Sequence, residues 1–323
     1  MALPQPRVAT RKRFFGSATK TAHSRNSQGS GSPVVYRAGQ SVPAKDWYAY
    51  QPGSFDYKVA RGTENIDWLS YSPGSQEGLA KDPQPIPFQV VFSLSALPKG
   101  KFVLRLDAIL RYRRPAAPRF EVNINGDIGT YQLVPQPAPE LWWPTGGDGA
   151  GGLQFIGYES LEMVLPASYF RRGNNTLTVR CLDGFGLYYD ALSLANDPSS
   201  AVPLVTAASV EPTIFFKNRD SGMVELGKVR VRSTRPIGRA TLKILIGSTQ
   251  VTKEIQQSEF GDVEATIEVP ASETPLPVTL RIQGVKAPVF RETFVPRRRW
   301  KVYALPMEQA DFGYNEVPSR TLE

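Results

Sequence analysis

Histidine and cysteine are nearly missing: one of each occurs in 323 residues. The single Cys181 permits neither an internal disulfide nor a thiolate zinc site. Its setting, Leu177-Thr178-Val179-Arg180-Cys181, reads as a strand, so a buried structural thiol is expected rather than a nucleophile. The single His23 falls in a Ser-, Asn- and Gly-rich stretch, which removes Ser-His-Asp, Cys-His and His-metal arrangements together. No apolar run approaches the roughly 20 residues that a membrane helix needs, and no membrane partner is expected. Acidic residues are absent from Met1 to Lys45, and this segment holds much of the excess behind the net charge of +8. Beyond Asp46 the two signs are interspersed as on a solvated surface, and no RNA- or DNA-binding motif accompanies the basic arm, so nucleic acid is not expected as a partner. Residues 1–33 read as a disordered basic arm. Their cations are followed by Ser, Gly and Asn instead of an apolar core, so no signal peptide is legible.

Helical periodicity sustained over 11 or more residues is also nearly absent, and what remains is strand signal. The length suits two domains plus tails. In the first stretch, 87–94 and 101–110 alternate apolar and polar residues around Pro98-Lys99-Gly100, the pattern of a hairpin. Further strands are expected at 119–126, 160–165, 175–180 and 188–194. After the polar segment 196–203 the same logic repeats at 223–231, 239–246, 263–269 and 277–282, and about seven strands are expected within the roughly 95 residues of this second stretch. The fold class is therefore all-β: a jelly-roll, carbohydrate-binding-like domain over 34–198, an immunoglobulin-like β-sandwich over 204–296, and a linker with one further strand over 297–323.

The first module resembles the C-terminal jelly-roll domain of the family 4 polysaccharide lyases, the rhamnogalacturonan lyases, over Val34 to Asp197. The resemblance is carried by Trp68, the expected hairpin with Phe92 and Leu94, Val122-Asn123-Ile124-Asn125-Gly126, Arg172-Gly173-Asn174-Asn175-Thr176-Leu177 and Tyr189-Asp190-Ala191-Leu192. It implies a carbohydrate-binding module whose enzyme carries its catalytic residues in a different domain, and it implies a secreted or extracellular location. Trp300-Lys301-Val302-Tyr303-Ala304-Leu305-Pro306-Met307-Glu308-Gln309-Ala310-Asp311-Phe312-Gly313-Tyr314 resembles the opening strand of family 38 glycoside hydrolases, the α-mannosidase class. That family's strand ends in His-x-His-x-Asp-x-Gly. Here Met307 and Gln309 stand at the histidine positions and Asp311 at the aspartate, and glutamine is a poor zinc ligand beside imidazole or carboxylate. The expectation is a chain that stops before its catalytic domain.

The candidate carbohydrate-binding residues are Trp142 and Trp143 with Glu140 and Asp148, in a loop that runs into the glycines 146–152. Flat indoles stack on the apolar faces of sugar rings, and nearby carboxylates take the hydroxyls; alternatively, one indole closes the end of the sandwich. Trp47 and Tyr50 are open between stacking and packing, whereas Phe55 and Tyr57 alternate as core residues. Trp68 and Tyr71 precede a Ser-Pro-Gly-Ser turn. Asp183 and Asp190 flank Gly184-Phe185-Gly186, where calcium would be held by oxygen ligands; two carboxylates fall well short of its six to eight, so turn capping is the stronger reading and no cofactor is assigned. Read as a glycosidase pair, the same carboxylates would need a sugar site beside them. Arg111, Arg113, Arg114, Lys99 and Lys101 look like solvated strand ends. Asn174-Asn175-Thr176 matches a glycosylation sequon, and Arg297-Arg298-Arg299 marks the exit from the second sandwich. The expected function is non-catalytic polysaccharide binding, of a pectic glycan, within a glycan-degrading enzyme. The rivals are a purely structural or protein-interaction chain and a lyase or hydrolase that acts with its missing part.

Overall fold

A computed structural model describes residues 34–38, 56–58, 70–72, 88–112, 118–133, 136–137, 143–144, 153–182 and 187–299. The arm 1–33 and the segment 300–323 lie outside them. The described residues are strands joined by turns, with a single 3-10 turn at Ala167–Tyr169, and the all-β expectation holds. In chain order the strands are β1 (Val34–Ala38), β2 (Asp56–Lys58), β3 (Ser70–Ser72), β4 (Phe88–Leu94), β5 (Lys101–Tyr112), β6 (Arg119–Ile124), β7 (Asp127–Gln132), β8 (Gln136–Pro137), β9 (Trp143–Pro144), β10 (Leu153–Pro166), β11 (Gly173–Cys181) and β12 (Leu187–Asp197). They continue as β13 (Val205–Arg219), β14 (Gly222–Ser233), β15 (Gly238–Ile246), β16 (Thr249–Gln257), β17 (Phe260–Pro270), β18 (Leu276–Gln283) and β19 (Phe290–Phe294).

Three sheets result. One follows the order β1-β12-β5-β10-β8, with β3 added on β12 and β9 on β10; a second runs β13-β14-β17-β7-β6-β11-β4-β2; the third is β16-β15-β18-β19. Alternation decides what each strand buries. On β6, Phe120, Val122 and Ile124 point inward, and on β11 Leu177, Val179 and Cys181 do the same, so the thiol is a buried core atom as expected. They meet Phe102, Leu104 and Leu106 of β5 and Leu161, Met163 and Leu165 of β10 in the first core. The second core sets Val229 and Val231 of β14 and Ile267 and Val269 of β17 against Leu242, Ile244, Val278 and Leu280. Each such burial contributes about 1.5–3 kcal/mol, which builds both cores without a disulfide.

One expectation is corrected. β4 and β5 do not form a hairpin: β4 pairs with β11 and β2, whereas β5 pairs with β10 and β12. The Pro98-Lys99-Gly100 connection instead crosses from one sheet to the other. Gly100 adopts φ 70°, and a side chain there would collide with the backbone of Asp197 and Pro198. Alternation cannot separate the two outcomes, because a strand buries the same residues whether its neighbour lies beside it or across the core. Phe92 and Phe102 face each other across that core through Phe170, at ring separations of 6.3 and 4.0 Å. The strand expected over 119–126 ends at Ile124, and a turn at Asn125-Gly126 closes a hairpin between β6 and β7, with Asn125 at φ 54°.

The second sheet passes through both cores. β17 of the second sandwich pairs in parallel with β7 of the first, Phe260 opposite Gly129 and Gly261 opposite Thr130. Phe260 is only 2% exposed and belongs to the first core, where it stacks on Tyr169 at 4.9 Å and meets Tyr131 edge-on at 6.2 Å. A Cβ at Gly129 would overlap its ring, so only glycine admits this approach. Polar contacts fix the same junction. Arg232 clasps Asp262 through two bonds of 2.7 and 2.8 Å and lies 5.4 Å over the Tyr131 ring. Asp262 also accepts the Gln132 backbone N–H at 3.0 Å, and the Tyr169 hydroxyl donates to the Thr234 carbonyl at 2.9 Å. Burial, reinforced by Asp127, pushes the Tyr169 phenol up to about 12, so it remains a donor at physiological pH.

Candidate functional site

Trp47, Tyr50, Trp68, Glu140, Trp142, Asp148 and Asp183 lie outside the described residues, and Trp143 is described in its backbone alone. Trp143 and Pro144 form β9 and pair with Gln154 and Leu153 at the start of β10, while residues 145–152 between them lie outside the described residues. β3 begins two residues after Trp68 and joins the opposite side of the same sheet, with Tyr71 opposite Tyr188. From β3 to β10 the path crosses β12 and β5, three inter-strand steps or roughly 14 Å. Thus the strands adjoining two of the predicted aromatic clusters reach the same end of one sheet.

Register ties that end together. Tyr71 of β3, Tyr188 of β12, Ile109 of β5, Tyr158 of β10 and Gln136 of β8 stand in one continuous cross-strand row. Two residues back along β5 is Asp107, in a row with Ala191 and Ser160, and before it Arg105, in a row with Ser193 and Glu162. Arg105 and Asp107 alternate with the core residues Leu104 and Leu106, which places them on the face turned away from the first core. The Arg105 guanidinium donates to the Asp107 carboxylate at 3.0 Å. Asp107 is 5% exposed although it is on the outer face, while Arg105 remains partly open. β12 carries an irregularity between Tyr189 and Ala191, beside Asp107.

This polar pair was not singled out by the sequence. Its signal was present, since charges fill the polar positions of the β5 alternation at 105 and 107, but nothing local says which strands complete their rows. Of the cations read as solvated strand ends, Lys101 pairs with Asp197 at 3.7 Å and Lys99 is exposed. In the sequon, Asn174 is exposed at the start of β11 while Asn175 is fully buried. Among the described residues no group of three or more His, Cys, Asp or Glu side chains is arranged to hold a metal.

No protein-family model matches the chain, and no curated protein matches it. Solved structures similar to it include a GH2 β-galacturonidase from Eisenbergiella tayi bound to galacturonate, at 12% identity over 68% of this chain and 41% of that one, with a TM-score of 0.26. A β-D-mannosidase from Dictyoglomus thermophilum shares 9% identity over 66% of this chain and 29% of its own, with a TM-score of 0.27. A calcium-binding mutant of Bacteroides uniformis β-glucuronidase 2 shares 13% over 69% and 28%, with a TM-score of 0.24. The chain spans less than half the length of each. At such TM-scores the likeness fixes neither fold nor activity.

Proposed function

We propose that this chain is a non-catalytic carbohydrate-binding region of a glycan-degrading enzyme, with its glycan held across the outer face of the β1-β12-β5-β10-β8 sheet. The observation that carries the reading is the tyrosine row. Three tyrosines, at 71, 188 and 158, share one register line across four strands, beside the two rows that hold the Arg105–Asp107 pair and between the segments that bear Trp68 and Trp142-Trp143. Extended sugars need flat apolar platforms along their length and charged or amide groups at the flanks for their hydroxyls. In this reading the tyrosine row and the Trp142-Trp143 loop supply the platforms, with Arg105, Glu140 and Asp148 as polar partners. The resemblance to the rhamnogalacturonan lyase jelly roll favours a pectic chain and an extracellular setting, and the resemblance of 300–314 to the α-mannosidase strand favours a glycosidase as the catalytic partner. The second sandwich is then a spacer that the Phe260 junction holds rigidly to the first.

Titration of the full chain with rhamnogalacturonan and mannan oligosaccharides, followed by tryptophan fluorescence, tests the proposal. Saturable quenching that Trp142→Ala, Trp143→Ala or Tyr158→Ala removes, with folding intact, is the expected result. Absence of any response to either glycan refutes binding and leaves a structural pair of sandwiches.

A further inference from the structure

Seven large hydrophobic side chains are exposed among the described residues, and four of them belong to chain segments that register and hydrogen bonds bring to one end of the second sandwich: Ile214 (69%), Phe215 (64%), Met223 (39%) and Val295 (57%). The gathering is built into the backbone. β13 is the edge strand of its sheet and breaks register with β14 between Pro212 and Phe216. The Thr213 hydroxyl holds the break by donating to the Leu226 carbonyl at 2.7 Å and accepting the Phe215 N–H at 3.1 Å. Chain exit occurs at the same place. Phe216 stands opposite Glu225, and the Glu225 carboxylate accepts the Arg297 N–H at 3.0 Å. Two residues later Arg299 reaches Glu273 at 2.9 Å and the Met223 sulfur at 3.7 Å. The chain is thus delivered to the apolar cluster just as it enters Trp300-Lys301-Val302-Tyr303-Ala304-Leu305.

We propose that this cluster, formed by Ile214, Phe215, Met223 and Val295, is the docking site of the chain's own segment 300–314, whose apolar residues Trp300, Val302, Tyr303 and Leu305 give it the matching chemistry. Exposed apolar side chains on an edge strand, here Ile214 and Phe215 of β13, invite a partner. A segment tethered at the patch rim meets it at a far higher effective concentration than any separate molecule. The inference is independent of sugar binding, since it concerns the opposite sandwich and its test involves no glycan.

Hydrogen–deuterium exchange of the full chain, read by mass spectrometry over 300–314, decides it. Docking predicts exchange roughly tenfold or more slower than in the free synthetic peptide. The protection should disappear both in Ile214→Asp/Phe215→Asp and in Trp300→Ser/Tyr303→Ser, the second pair leaving both described cores untouched. Free-peptide exchange in the wild type overturns the proposal. Protection indifferent to both variants overturns it too, because the segment then docks elsewhere, as does protection that grows with protein concentration, which identifies a second copy as the occupant.

Discussion

Replacing Phe260 with alanine removes the side chain by which the second sandwich enters the core of the first. The ring is 2% exposed, stacks on Tyr169 and meets Tyr131 edge-on, so its loss combines a transfer term with a cavity lined by both tyrosines. Truncations of this kind cost about 3–5 kcal/mol, and in modules of this size each kcal/mol lowers the melting temperature by about 2–4 °C, which gives a fall of roughly 6–20 °C. Differential scanning calorimetry of the full chain reads the outcome. The wild type should melt in one transition, since β17 and β7 share a sheet, and the variant should melt in two, with the first sandwich the more affected. Gly129→Ala supplies the coupled test. Alone it forces a methyl group into the Phe260 ring, whereas in the Phe260→Ala background the methyl enters the vacated space, for a coupling energy of about 1–3 kcal/mol. A fall of less than about 2 °C with an unsplit transition, or additive costs in the double variant, would refute the reasoning.

Two further predictions concern buried polar groups. Asn175 is fully buried and makes four bonds, accepting from the Arg171 N–H and the Asn125 amide and donating to the carbonyls of Arg171 and Gly173. Asn175→Ala leaves those groups unpaired and should cost about 3 kcal/mol in chemical denaturation, whereas loss of less than about 1 kcal/mol would show that water replaces the amide. Glu225 is buried, and desolvation raises its carboxyl above the usual carboxylate range, offset in part by the Arg297 N–H and charge. The native state therefore holds this proton more tightly than the unfolded chain, and the residue's contribution to stability grows as pH falls from 7 toward the unfolded value near 4.5. Glu225→Gln keeps the acceptor without the charge, so it should equal or exceed the wild type at pH 7 and lose that advantage by pH 4.5. An advantage that widens on acidification would contradict the assignment.

The all-β class was legible because period-two alternation marks a strand wherever it pairs. The buried thiol of Cys181 followed from the same alternation. Partner identity was not legible: the residues that alternate in β4 and β5 look alike whether the strands form a hairpin or face each other across a core. Nor does sequence distance announce that Phe260 packs in the first core, that Tyr71, Tyr188 and Tyr158 fall in one row, or that Arg105 and Asp107 share its face. What the sequence by itself determined is which side of each strand is apolar, a local property written every second residue. What only the tertiary structure decided is which strands stand side by side, because register and sheet order depend on pairings between residues tens to more than a hundred positions apart.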